Sequence, residues 1–126
     1  MWLFGQRGMF SIVQHRDDKD ILIVKARVKG DIEQYWPYAE IERNEDFDYL
    51  YRANLPRGDV AVVVAQMVHD MDYSSFKGEM HDRARRYPFY LRIWECLIDM
   101  QETFKLTEDF DESDSDRPVQ RNSDRG

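Results

Sequence analysis

Apolar and polar residues alternate along the first third of the chain and recur every three to four residues along its second half. Phe10 and Ile12 alternate with Ser11 and Val13 after Gly8, which predicts a strand over about residues 9–15. His15-Arg16-Asp17-Asp18-Lys19-Asp20 reads as a polar turn. Residues 21–28 follow as a strand rich in β-branched side chains. Leu22, Val24, Ala26 and Val28 make one wholly apolar face, while Ile21, Ile23, Lys25 and Arg27 make a second that turns basic. The apolar face is the one expected to meet the core.

Gly30-Asp31 opens a short helix expected to run through about Tyr35, where Pro37 stops it. Residues 39–43 form a candidate strand, Asn44-Glu45-Asp46 a turn, and residues 47–55 a returning strand, so a hairpin is expected around 44–46. On the returning strand Phe47, Tyr49, Tyr51 and Ala53 share one face; Asp48, Leu50, Arg52 and Asn54 share the other. From 59 to 71 the valines favour a strand, yet Asp59 is a good N-cap and Val60, Val63, Val64, Met67, Val68 and Met71 keep helical spacing. A helix is therefore predicted. Tyr73-Ser74-Ser75-Phe76 begins a further helical turn capped by Ser74 or Ser75. Pro88 suits the first turn of a last helix, in which Tyr90, Leu91, Trp94, Leu97 and Ile98 form an apolar stripe through about Phe104. Trp94 is the expected core anchor, its replacement by Ala costing about 3–5 kcal/mol.

The order β-β-α-β-β-α-α predicts an α+β fold: a four-stranded antiparallel sheet with helices on one face, connected as a circularly permuted ferredoxin-like sandwich. Composition adds bounds. A chain of 126 residues with 42% hydrophobic content can bury one core, expected over residues 1–106. The longest apolar run, residues 60–65, is far short of a membrane span, and no signal-peptide order follows Met1-Trp2-Leu3-Phe4. A lone Cys96 excludes an intramolecular disulfide and a Cys-rich zinc site. The expectation is a cytoplasmic protein with no membrane contact.

Charge is uneven. With 18 Lys+Arg against 25 Asp+Glu the chain carries −7, and residues 107–126 alone carry −4. Six acids in residues 108–116 surround Phe110, so this stretch is expected to be a disordered acidic tail. The ordinary role of such a tail is solubility; the sharper one is docking on a basic partner. The acidic balance argues against duplex nucleic acid, whose affinity comes from phosphates neutralised by Lys and Arg.

Five pieces carry a resemblance: Met1-Trp2-Leu3-Phe4 with Gly8-Met9-Phe10-Ser11-Ile12-Val13-Gln14, then Ile23-Val24-Lys25-Ala26-Arg27-Val28, Asp48-Tyr49-Leu50-Tyr51-Arg52-Ala53, Asp72-Tyr73-Ser74-Ser75-Phe76-Lys77, and Tyr90 with Trp94. In this order they resemble a family of small bacterial and phage proteins with no characterised activity. Gly5 stands where that family's pattern has Thr, residues 78–87 differ, and the acidic tail is an addition. The resemblance implies one domain and a bacterial or phage origin, and supplies no mechanism.

The candidate binding set is Lys25, Arg27, Tyr49, Tyr51, Arg52, Asp72, Tyr73 and Lys77. Were the strands neighbours, Arg forks and Tyr planes would share a sheet face suited to phosphate, carboxylate or base recognition. The plainer alternative has Arg27 and Arg52 pairing with Asp48 and Asp72 to pin the elements together. His15, His69 and His81 lack metal-site spacing, and no His-Glu-x-x-His, Gly-x-Ser-x-Gly or glycine-rich phosphate loop occurs. Cys96 sits in an apolar helix between Trp94 and Leu97, the setting of an inert buried thiol. No cofactor is expected. Not all of Trp2, Leu3, Phe4, Tyr35, Trp36 and Tyr38 need fit in one core: exposed together they would mark an interface, and otherwise they make a well-filled core rim. The leading expectation is a non-enzymatic protein that recognises another protein, acting as a host-factor antagonist if phage-borne. The second is a ligand or single-stranded RNA binder using the Arg/Tyr face, and an enzyme ranks last.

Overall fold

The computed structural model describes residues 1–108, so the expected tail at 107–126 lies almost wholly outside the described residues. The chain divides into two compact units, one of Met1–Ser74 and one from Ser75 onward. The first unit is a five-stranded antiparallel sheet and one helix. Its strands are β1 (Trp2–Phe4), β2 (Met9–Gln14), β3 (Ile21–Ala26), β4 (Glu42–Arg43) and β5 (Tyr51–Pro56), in the order β1-β2-β3-β5-β4.

The expected four strands become five because Trp2–Phe4 pairs with β2, placing Leu3 opposite Phe10 and Trp2 opposite Ser11. The connecting turn closes through the Gly5 N–H donating to the Gly8 carbonyl at 2.8 Å. Gly8 must lack a side chain, since a Cβ there would lie 2.7 Å from the Phe10 ring. The polar turn after β2 returns the chain along β3, with Ile12 opposite Val24.

The expected helix at 30–35 is instead a run of turns. Gly30 takes φ +92°, outside helical space, and Pro37 leaves too few residues to repay helix nucleation. The segment keeps two helical bonds, Gln34 N–H to the Gly30 carbonyl at 3.3 Å and Trp36 N–H to the Ile32 carbonyl at 2.9 Å, and the second sets the Ile32 and Trp36 side chains on the sheet. Ile32 and Trp36 are fully buried there with Phe10, Val24, Ala26, Ala53, Leu55 and Val60. Phe10 meets Tyr35 and Trp36 edge-on, each at 5.7 Å between centroids. No α-helix joins two strands among the described residues, so the β-α-β crossovers of a ferredoxin-like sandwich are not formed here.

The expected hairpin is present but shorter on both sides. Asn44 and Asp48 side chains accept the backbone N–H groups of Asp46 and Tyr49, each at 2.9 Å, holding residues 44–50 in turns. The returning strand therefore starts at Tyr51, not Phe47. Helix α1 (Arg57–His69) follows directly and begins two residues before Asp59. Asp59 is not its cap but lies in its first turn, where it accepts the Tyr38 hydroxyl at 2.9 Å. Val60 is buried, Val63, Val64 and Met67 pack against the core, and Val68 and Met71 are exposed.

The second unit holds α2 (Phe76–His81), capped by Ser75 accepting the Gly78 N–H at 3.1 Å, and α3 (Tyr87–Leu106). Phe76 meets Tyr90 and His81 meets Tyr87. Trp94 corrects the sequence expectation. It is 42% exposed rather than a core anchor, with the Lys77 ammonium 3.7 Å from its ring centre.

Candidate functional site

Strand register builds the sheet face opposite the core. Trp2 lies across from Ser11, Ser11 from Lys25, Lys25 from Arg52 and Arg52 from Glu42, one row over five strands. Ser11 and Lys25 are each 4% exposed. Burial pushes the Lys25 ammonium below its ordinary value, the facing Arg52 charge pushes the same way, and Asp48 opposes both. Two cations at directly opposed sheet positions repel. The Arg52 guanidinium stacks on the Phe47 ring at 3.6 Å, and its Nε is buried with no hydrogen-bond partner among the described residues.

Arg27 follows β3 on the same side. It donates to the Asp48 backbone carbonyl at 2.6 Å and stacks on Tyr49 at 4.0 Å. The turn at 44–50 thus supplies two rings and a carbonyl to two arginines. Tyr49 itself is 5% exposed, so its ring is closed to a stacking base.

The eight sequence-chosen residues therefore separate. Lys25, Arg27, Tyr49 and Arg52 come together. Tyr51, expected beside Tyr49, packs against the core instead, because Tyr49 belongs to the turn and not to the strand's alternation. Asp72 and Tyr73 lie in the segment after α1, the first exposed and the second half-buried. Lys77 belongs to the helical unit, on Trp94. The expected Arg27–Asp48 ion pair is a bond to the backbone carbonyl. Phe47 was missed as a contributor; its place after the Asn44 turn and five residues before Arg52 was the available signal.

The three histidines stay apart in their contacts. His15 Nδ1 accepts the Asp17 N–H, His69 lies 3.1 Å from Asp70, and His81 lies 3.7 Å from Asp82. Among the described residues no three metal-ligating side chains gather. No described helix is long and apolar enough to cross a membrane.

A second surface lies on α3, none of whose residues is buried. Phe89, Trp94, Leu97, Ile98, Met100 and Phe104 are each between 38% and 62% exposed. Apolar side chains cover more than half of this helix's circumference, wider than the stripe one core contact requires. The sequence carried that signal in Phe89, Ile93 and Met100, which lie off the stripe of Tyr90, Leu91, Trp94 and Ile98.

No protein-family model matches the chain, and neither the curated proteins nor the solved structures include a significant match.

Proposed function

We propose that this chain is a non-enzymatic interaction protein that recognises another protein surface, and that the apolar side of α3 makes the contact. The observation that supports this is the exposure of Trp94, Leu97, Ile98, Met100 and Phe104 along one helix. Large apolar side chains gathered in one patch are costly in water and gain most by burial against a partner. On a phage-borne member of the family that the sequence resembles, such a surface would serve to occupy a host factor. The test is affinity capture with the full chain and with a Leu97→Glu/Phe104→Glu variant. Proteins retained by the first and lost by the second, a second copy of this chain included, support the reading; an identical retained set contradicts it.

A second reading rests on Lys25 and Arg52. The buried Arg52 Nε, without a hydrogen-bond partner among the described residues and directly across from Lys25, suits a compact anion that would accept from Arg52. The buried Tyr49 favours phosphate or carboxylate over a stacked RNA base. Titration with inorganic phosphate should show binding that Arg52→Ala abolishes while the melting temperature holds, and a single-stranded oligoribonucleotide should show no base-dependent binding. Lost folding in that variant would make Arg52 structural.

A further inference from the structure

We infer that the occupant of the α3 face is a second copy of this chain, paired with the first as antiparallel helices about a two-fold axis near residues 96 and 97. The inference rests on the reading of α3 as a contact surface and names its partner.

The seam is written in the spacing of α3. Phe89, Ile93, Cys96, Leu97, Met100 and Phe104 fall within an arc of about 100° at the pitch of an α-helix. Their order reads nearly the same from either end. Phe89 and Phe104 are equally distant from the midpoint between Cys96 and Leu97, and so are Ile93 and Met100. Antiparallel pairing about that midpoint sets Phe89 against the second copy's Phe104, and Ile93 against the second copy's Met100. An isologous interface needs such self-complementarity.

Charge selects the direction. The segment entering α3 and its first turns carry Arg83, Arg85, Arg86 and Arg92, with no acid in the first turn. The later turns carry Glu95, Asp99 and Glu102. This layout runs against the helix's own dipole, which favours acids at the N-terminus and bases at the C-terminus. Lys105 in the last turn is the one exception. An antiparallel neighbour reverses the penalty, bringing each basic end beside the acidic half of the other helix. Arg92 and Asp99 flank the same edge of the seam, so the two-fold brings Arg92 toward the second copy's Asp99. A parallel pair would stack like charge on like.

The area is that of a weak, reversible pair. With Phe89 62%, Leu97 51%, Met100 50% and Phe104 58% exposed, the seam offers roughly 500 Å² per chain, so two copies approach the roughly 1,000 Å² at which a specific interface begins. That is a modest interface, and it predicts an association that weakens on dilution.

The test uses the full chain and reads mass by sedimentation, then geometry by cross-linking. Wild type should move from one chain mass toward two as concentration rises. Leu97→Glu should weaken self-association at least tenfold, while Leu97→Met leaves it in place and circular dichroism shows both folded. In a Cys96→Ala background, one variant carries Phe89→Cys and another Phe104→Cys. Mild oxidation should join the two when mixed, with little cross-linking of either alone. Cross-linking of each variant to itself would overturn the antiparallel pairing. A wild type that stays monomeric, while Leu97→Glu still costs it a protein retained on affinity capture, would overturn the second copy as occupant and leave α3 a contact for another partner. A monomer in which Leu97→Glu changes nothing would overturn both.

Discussion

Lys25 and Arg52 stand directly opposite each other across β3 and β5, on the sheet face away from the core. Two cations in that relationship repel, and burial of Lys25 adds to the cost. The structure offsets part of this locally. Phe47 lies under the Arg52 guanidinium, and the Asp48 carboxylate, from the same turn, raises the affinity of Lys25 for its proton. The turn at residues 44–50 is thus the counterpart of the basic row, held by the Asn44 Asx bond to Asp46 and by the Asp48 carboxylate on the Tyr49 N–H.

The pairing gives stability a pH dependence. Burial first, and Arg52 second, hold the Lys25 ammonium below its ordinary 10.5 in the folded chain. Between that lowered value and 10.5 the unfolded chain binds more protons, so this group's contribution to stability rises with pH through the window and is least favourable below it. Lys25→Met removes the dependence. The urea midpoint of the variant minus that of wild type should be largest at neutral pH and shrink as pH climbs toward 10.5; a difference constant with pH contradicts the account.

The two tryptophans should separate cleanly. Trp36 is fully buried against Phe10 and Tyr35, and Trp36→Ala should cost about 3–5 kcal/mol of the sheet unit's stability. Trp94 is exposed beneath a lysine, and Trp94→Ala at low protein concentration should cost about 1 kcal/mol or less. Denaturant unfolding followed by circular dichroism distinguishes them. Equal losses would return Trp94 to a core.

Two glycines should respond with opposite signs. At Gly8 a Cβ would meet the Phe10 ring at 2.7 and 3.0 Å, and that ring is held edge-on by Tyr35 and Trp36. Gly8→Ala should destabilise by about 1–3 kcal/mol through overpacking. At Gly58, in the first turn of α1, nothing lies within 4 Å. Gly58→Ala should stabilise by roughly 0.5–1 kcal/mol, because Ala restricts the unfolded chain and favours helix. Thermal melts of both variants check the pair.

The legible parts of the fold were those where periodicity was unbroken. Alternation gave β3 its two faces, so Val24 and Ala26 point to the core and Lys25 away from it. Helical spacing outweighed β-propensity in the valines of α1. What was not legible depended on contacts distant in sequence. Trp2–Phe4 is a strand only because β2 pairs with it, and three residues carry no period of their own. The returning strand is shorter than its alternation suggests because Phe47 and Tyr49 continue the pattern of Tyr51 and Ala53, while the Asx turn at Asn44 and the Asp48 carboxylate on the Tyr49 N–H take the backbone elsewhere. Of the candidate site, Lys25, Arg27 and Arg52 were readable by face; that their rings would be Phe47 and a buried Tyr49 was not. The α3 stripe reads as apolar from its spacing, but sequence alone does not distinguish a buried stripe from one awaiting a partner.

Amide hydrogen exchange of the full chain at low and high protein concentration tests the central claim, that the apolar side of α3 is a protein contact filled by a second copy. Amides of residues 89–104 should exchange more slowly as concentration rises, while those of β2, β3 and β5 keep their rates. Exchange along α3 that is independent of concentration, in a chain that remains a single mass, would contradict it.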